Sequence, residues 1–297
     1  MIRDRYEIIR VLGEGKFGKV LLAKDHCINK TGKHDYVAIK CDNTMMNLLK
    51  HEATMLNYLH QRSSGEDRTR MSIPRVVWFG IIQTTPLLVT PYYAGGTLTD
   101  WVNLNAPVPL DAIAAKIQEI LDTLACVHRL LVVHRDLKPD NFLLTDKGRL
   151  VLVDFGLATF YVDGHTGDHI REDPEPASEI VGSPMYASLN VHLGIRHSRR
   201  DDCIQAGYIA LYMGLQGHLP WENVFASFAS QRAMGNSTPF IHSPTNRIMY
   251  LSKKNLDCSD PAWTHYMKRC YQKKYSEEPD YVYVQAQDQD VNPEKVT

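Results

Sequence analysis

Cysteine is sparse and badly spaced for bridging: six residues in 297 (Cys27, Cys41, Cys126, Cys203, Cys258 and Cys270), with no C-x-x-C pair. That pattern supports neither a disulfide framework nor a zinc site, and reads as the reduced thiols of an intracellular protein. No apolar run reaches the ~18 residues a membrane span needs, and the opening Met1-Ile2-Arg3-Asp4-Arg5 does not read as a signal peptide. Neither sign of charge dominates, since 33 Lys+Arg against 34 Asp+Glu leave a formal net charge of −1. Bulk charge therefore gives no drive towards nucleic acid or a membrane surface. Internal repeats and low-complexity tracts are also missing. What remains is an ordinary globular mixture, 44% hydrophobic and 23% charged, long enough for one large unit or two lobes.

The chain up to Thr90 has the texture of a sheet. Tyr6–Leu12 and Lys19–Ala23 flank a glycine-rich turn, Tyr36–Lys40 is a third β-branched run, and 76–82 and 87–90 are two more strands. Asn29–Lys33 reads as a hairpin loop and Gln61–Arg70 as a polar loop, for whose Arg62, Arg68 and Arg70 a solvated face is preferred over the alternative of phosphate binding. Between them Met46–Leu59 has helical spacing. After Gly95-Gly96 the pattern turns helical. Ile113, Ile117, Ile120, Leu121 and Leu124 form a stripe behind Asp111, Asp202–Leu215 is apolar on most faces, and Ala262–Tyr275 is a third helix. Gln285–Thr297 is a polar, frayed tail.

Four short segments carry chemistry. Gly13-Glu14-Gly15-Lys16-Phe17-Gly18-Lys19-Val20 fits G-x-G-x-x-G-x-V. A dinucleotide fold would place a helix after the glycines; here a β-branched strand follows, which makes the segment a hairpin flap able to lie over phosphates. Lys40 ends Val37-Ala38-Ile39-Lys40, and Glu52 in the 46–59 helix is its natural carboxylate partner. A strand-end lysine ordinarily faces solvent, so the pair gains meaning only in company with two motifs further along the chain. His134-Arg135-Asp136-Leu137-Lys138-Pro139-Asp140-Asn141 matches H-R-D-L-x-x-x-N at every fixed position, and Val153-Asp154-Phe155-Gly156 comes behind it in order.

These segments together resemble the eukaryotic-type protein kinases over nearly the whole chain. The resemblance implies an α+β, bilobal kinase fold, with a small β-rich N-lobe holding one main helix and a larger, mainly helical C-lobe. It implies a kinase domain over 1–284, with the N-lobe over 1–93, a hinge at 90–94 and the C-lobe over 94–284. It also assigns roles. Asp136 would accept the proton of the substrate hydroxyl, with Lys138 beside it; Lys40, paired to Glu52, would hold the α- and β-phosphates of ATP. Asn141 and Asp154 would ligate Mg²⁺, with Mn²⁺ as a substitute. Leu12, Gly13, Glu14, Gly15, Lys16, Phe17, Gly18, Val20 and Ala38 would surround the nucleotide, together with Lys40. Thr90 takes the gatekeeper position, Pro91 keeps a carbonyl for adenine, and Tyr93 supplies the backbone donor. Oxygen ligands suit a hard cation, and phosphoryl transfer depends mostly on positioning and charge compensation.

Later segments narrow the resemblance. In Gly182-Ser183-Pro184-Met185-Tyr186-Ala187-Ser188-Leu189-Asn190 the last three residues replace the usual Ala-Pro-Glu ending, and His192-Leu193-Gly194-Ile195-Arg196-His197-Ser198-Arg199-Arg200-Asp201-Asp202, Leu219-Pro220-Trp221 and Ser276-Glu277-Glu278-Pro279-Asp280-Tyr281 follow. This set is similar to the casein kinase 1 group, including its vaccinia-related and tau-tubulin relatives. It implies Ser/Thr acceptors on protein substrates, with Ser183 and Asp202 supporting Asp136, and a monomer in the cytoplasm or nucleus without nucleic-acid or membrane partners. Met185 stands where the group carries a basic residue, and 222–232 lacks its lysines, so recognition of pre-phosphorylated substrates is in question. Arg171, Arg199 and Arg200 are the cations available, with ordinary structural pairing as the competing reading. Thr159, Tyr161, Thr166 and Ser178 are hydroxyls open to phosphorylation, with Arg135 as receiver, although the group generally works without that event. His165-x-x-x-His169 reads as a surface loop in preference to a metal pair. The alternative from another class is a pseudokinase that binds nucleotide and partners without turnover; its mark would be a lost catalytic residue, and none is lost.

Overall fold

The computed structural model describes residues 2, 4–15, 18–27, 35–41, 46–173, 180–233 and 239–284. Two compact units emerge, Met1–Gly96 together with Leu143–Ala158, and Thr97–Phe142 together with Thr159–Thr297.

The first unit is built on strands β1 (Tyr6–Gly15), β2 (Gly18–Asp25), β3 (Tyr36–Cys41), β4 (Trp78–Ile82) and β5 (Thr85–Pro91), in the order β1-β2-β3-β5-β4. Every pairing is antiparallel. Successive side chains of a strand point to opposite faces. Hence Val37, Ile39, Leu87 and Val89 join Tyr6 and Ala23 in one core. Leu88, between them in sequence, packs instead with Leu49 and Ala53 of helix α1 (Met46–Arg62). The expected loop at Gln61–Arg70 is corrected: α1 runs on to Arg62, and a second helix, α2, occupies Gly65–Arg70. Glu66 and Asp67 in its first turn and Arg68 and Arg70 in its last complement the helix dipole. None of its residues is buried, so no apolar period announces it. The Asn29–Lys33 loop lies outside the described residues.

The second unit is mainly helical. Helix α3 (Leu98–Asn105) starts in a capping box, with Thr97 and Asp100 satisfying each other's backbone N–H groups. Helix α4 (Leu110–Arg129) carries the predicted stripe, with Ile113, Ile117, Ile120, Leu121 and Leu124 all buried. Strand β6 (Val132–Val133) follows; along the chain the paired strands β7 (Phe142–Leu144) and β8 (Leu150–Leu152) come next and fall with the first unit from Leu143 on, and β9 (Thr159–Phe160), back in the second unit, pairs on β6. Helices α5 (Leu189–His192), α6 (Arg199–Gly214), α7 (Glu222–Ala233), α8 (Pro244–Lys254) and α9 (Pro261–Gln272) complete it. The helix read as Asp202–Leu215 begins at Arg199 because the Asp201 carboxylate accepts from Ser198 N at 2.9 Å and Ser198 Oγ at 3.1 Å. The one read as Ala262–Tyr275 begins at Pro261, capped by Asp260, and ends at Gln272.

Helix α6 is central, buried from Arg200 to Leu211 and at Met213. Trp263 and Tyr266 of α9 donate to its Gly207 and Cys203 carbonyls at 2.6 and 2.7 Å. Gly207 permits this approach, since a Cβ there would collide with the Met267 sulfur. All six cysteines are free thiols.

Candidate active site

In the first unit, strand register aims one cation at one helix. Lys40 pairs with Leu88 across β3 and β5, and Leu88 is the residue that packs on α1. The Lys40 side chain leaves the sheet on that face. Glu52 lies one turn beyond Leu49 on α1, and Lys40 Nζ donates to its Oε2 at 2.9 Å. The same ammonium donates to Asp154 Oδ1 at 2.8 Å. Asp154 is held in the left-handed region, with φ 64° and ψ 68°, a conformation costing about 1–2 kcal/mol in a non-glycine residue. Burial works against the Lys40 ammonium, but Glu52 and Asp154 outweigh it and hold its pKa above the ordinary lysine value. Burial pushes Glu52 upward while Lys40 pulls it back. Two carboxylates thus share one ammonium, leaving surplus negative charge that a cation would offset.

The flap belongs to this unit. Gly15 pairs with Gly18, whose φ is +97°, and the ladder slips between Ile8 and Arg10 and between Val11 and Gly13. Such bulges re-aim a strand. Leu12 is half-buried, Gly13 and Glu14 are exposed, and Lys16 and Phe17 lie outside the described residues. Val20 pairs with Lys40, Ala38 with Thr90 and Val37 with Pro91, so these predicted nucleotide-site residues sit on adjoining rungs of one sheet. Tyr93 follows half-buried, its phenol pushed up to about 12 by burial.

In the second unit Asp136 is buried, and its two oxygens differ. Oδ2 accepts from Lys138 Nζ at 2.8 Å and from Asn141 Nδ2 at 3.3 Å. Oδ1 is buried and has no hydrogen-bond partner among the described residues. Asn141 Nδ2 also donates to the Asp136 carbonyl at 2.8 Å. These bonds fix the amide's orientation and leave its oxygen as the atom able to ligate a cation. Lys138 Nζ lies 3.3 Å from Ser183 Oγ, which ties Ser183 to the same group. A Cβ on Gly182 (φ +85°) would strike the Arg135 carbonyl oxygen, so only glycine lets the 182–187 segment run this close.

The loop carrying Asp136 hangs on α6. The Asp202 carboxylate accepts from His134 N at 2.8 Å, Arg135 N at 2.9 Å, His128 Nε2 at 2.8 Å and His197 Nε2 at 2.9 Å. Burial would raise its pKa, but the bonds from His128 and His197 win and hold it well below the usual carboxylate range. Gln205, one turn along, accepts from Leu137 N at 3.1 Å. His128, His197 and Gln205 escaped the sequence reading: each is a polar residue inside a helical or loop pattern, and no local signal marks it.

Structural pairing accounts for two of the candidate phosphate-binding arginines. Arg200 donates to Glu172 Oε1 at 2.6 Å and to the Lys273 carbonyl at 3.0 Å. Arg199 bonds the Ser276 carbonyl at 2.7 Å and lies 4.6 Å over the Tyr161 ring. Tyr161 is itself buried, its hydroxyl donating to His128 O at 2.7 Å, which removes it as a phosphorylation site in this conformation. Ser178 lies outside the described residues. Among the described residues no cluster of three or more His, Cys, Asp or Glu side chains could hold a metal. Nor, among them, is any helix long and apolar enough to cross a membrane.

The model of the protein kinase domain matches residues 6–279. The chain belongs to the protein kinase family. A kinase domain implies phosphoryl transfer from ATP to protein substrates with a divalent metal, and this kinase takes those properties from its family. In fold the kinase is similar to the solved structure of vaccinia related kinase 3, with a TM-score of 0.69 and 18% identity. That match covers 93% of this chain and 83% of the other. The predicted α+β protein kinase fold is thereby established.

Proposed function

We propose that this kinase is catalytically active, of casein kinase 1-like type, and phosphorylates serine and threonine hydroxyls with Mg²⁺ as its metal. The observation that carries the reading is the pair of unlike oxygens on Asp136: one held by Lys138 and Asn141, the other buried and bare. A buried acceptor without a donor is costly unless a ligand supplies one. In this reading the acceptor hydroxyl of the substrate does so. Asp136 Oδ1 takes its proton as the hydroxyl oxygen bonds to the γ-phosphorus and the bond from that phosphorus to the β-phosphate oxygen breaks, releasing ADP. Lys138 steadies the carboxylate and meets charge on the transferred group. Lys40 holds α- and β-phosphate oxygens in place of part of its present pairing, with Glu52 fixing its direction.

Asn141 and Asp154 are the residues that would hold the metal. Both offer oxygen donors, and the surplus negative charge around Lys40 suits a cation. When bound, Mg²⁺ or Mn²⁺ supplies charge neutralisation on the β- and γ-phosphates. The flap residues from Leu12 to Gly18, with Val20, Ala38, Thr90, Pro91 and Tyr93, form the proposed nucleotide surround. The proposed catalytic domain is 1–284, with the hinge at 90–94, acting as a monomer in the cytoplasm or nucleus. Support for serine/threonine specificity is Lys138 two residues after Asp136, and for the casein kinase 1 group the Ser188-Leu189-Asn190 and Ser198–Asp202 segments.

Transfer of labelled γ-phosphate to casein by the purified chain tests this, with Asp136→Asn and Asp154→Asn as controls. Loss of the general base is expected to lower turnover by about 10²–10⁴-fold. Labelling by Asp136→Asn at the native rate overturns the assignment, and phosphate appearing only on tyrosine overturns the specificity. Nucleotide binding without any labelling would make the chain a scaffold.

A further inference from the structure

Away from the catalytic loop, the second unit contains a buried cation. Lys253 of α8 is 5% exposed, and its ammonium donates to three acceptors: Pro184 O at 2.9 Å, Ala187 O at 2.7 Å and His192 Nε2 at 2.9 Å. Three protons meet three acceptors, so nothing on the group is left unmatched. His192 is committed to accepting. Its Nδ1 lies 2.5 Å from Asn246 Oδ1, and Asn246 Nδ2 spends its protons on the His192 and Ile241 carbonyls. Nδ1 therefore carries the proton, leaving Nε2 as an acceptor. Burial and the neighbouring ammonium push the His192 pKa down to about 3, which keeps it neutral. Burial also pulls the Lys253 pKa down. Against that stand the three acceptors and the rings of Tyr208 and Trp221, 4.9 and 5.1 Å from Nζ.

The two carbonyls bracket the segment that carries Ser183. Met185 O, between them, accepts from Trp221 Nε1 at 2.8 Å. Three of the four carbonyls from Pro184 to Ala187 are thus held by Lys253 and Trp221, which touch each other. Directly before them, Ser183 Oγ meets Lys138 and through it Asp136. We infer that Lys253 is a positioning residue for protein substrate: with Trp221 it clamps the 184–187 backbone at a fixed distance from Asp136, so that the segment presents an acceptor hydroxyl in register. The hydrogen bonds of Lys253 go to the 184–187 backbone and His192, so it acts through that segment and not as a catalytic residue.

This rests on the phosphotransfer reading, and steady-state kinetics on a serine peptide with ATP varied separately distinguishes the two. Lys253→Met keeps the apolar stem and removes every donor. The clamp predicts a peptide KM raised at least tenfold with the KM for ATP within twofold, since hydrogen bonds to a charged group are the strong ones. Trp221→Phe, which takes one donor from the same backbone, should move the peptide KM in the same direction by less. A role in stability alone would lower the active fraction and leave both KM values where they were. That result, in a Lys253→Met protein with a native-like melting transition, overturns the inference while leaving Asp136 and its role untouched. If Lys253→Met does not fold, Lys253→Gln keeps two of the three N–H protons on a shorter, uncharged chain and is expected to raise the peptide KM about threefold; an unchanged value there also overturns it.

Discussion

Replacing Asp202 by asparagine tests how the catalytic loop is held. The carboxylate divides its four bonds evenly: Oδ1 takes Arg135 N and His197 Nε2, and Oδ2 takes His134 N and His128 Nε2. An amide has the same shape but only one acceptor atom. Whichever way it turns, one backbone N–H and one imidazole N–H face an NH₂ group in a site with no exposure. Each stranded buried donor costs roughly 1–3 kcal/mol, and removing one partner from a buried charged network costs about 3–5 kcal/mol. For a chain of this length that loss is expected to lower the melting temperature by ~5–8 °C. Function should suffer as well. Arg135 sits at φ 72°, a strained conformation secured by its bond to Asp202, and Asp136 is the next residue. Displacing reacting groups by about 1 Å can cost 10²-fold in rate, so kcat should fall at least tenfold. Calorimetric unfolding and steady-state kinetics on one preparation check both numbers. A protein less than about 1 kcal/mol weaker, turning over at the native rate, would refute the idea that the four bonds hold the loop.

The histidines His60, His128, His169 and His192 all have pKa values held below the ordinary one by burial. The unfolded chain therefore binds protons first as pH drops below ~6.5, and stability falls with it. With its pKa at about 3, His192 alone contributes a loss of ~2 kcal/mol between pH 7 and 5, and flat stability over that range in urea titrations would contradict its burial as neutral. Asp202 is held charged where the histidines are held neutral, but the fold favours the deprotonated form of both, so the pH effect runs the same way: its contribution is complete above ~4 and is lost as pH falls through its depressed folded value. Gly182→Ala drives a Cβ into the Arg135 carbonyl at φ +85° and should cost at least ~2 kcal/mol by thermal melting, with turnover lost in parallel. Glu52→Gln removes a buried charge and the partner that directs Lys40, so the KM for ATP should rise several-fold while the melting temperature stays within ~3 °C. A large drop in melting temperature would show that the ion pair matters mainly for folding.

The family was legible because the spacing of its motifs is local. Glycines in a turn, an aspartate two residues before a lysine and an asparagine three further on are constrained by a single loop, and the sequence carries that loop intact. Strand and helix placement was legible wherever one face is apolar and the other polar, as in α4 and the Val37/Ile39 run. Helix α2 was not, because it buries nothing and is held by its end charges. Helix α6 was legible as apolar, yet its Asp201, Asp202 and Gln205 are buried alongside its hydrophobic residues. Beyond the neighbouring His197 and Ser198, their partners are 128 and 134–137 for Asp202 and Gln205 and Ser188 and Asn190 for Asp201, which only folding brings near. The same holds for Lys253, a lysine in a helix with no sign in its surroundings that three acceptors await it. Sequence alone determined the family and which groups are the candidates for the chemistry, since each motif closes within a few residues. Tertiary structure decided what holds them in place, since a buried polar group is defined by partners distant along the chain and its cost is set by whether they arrive.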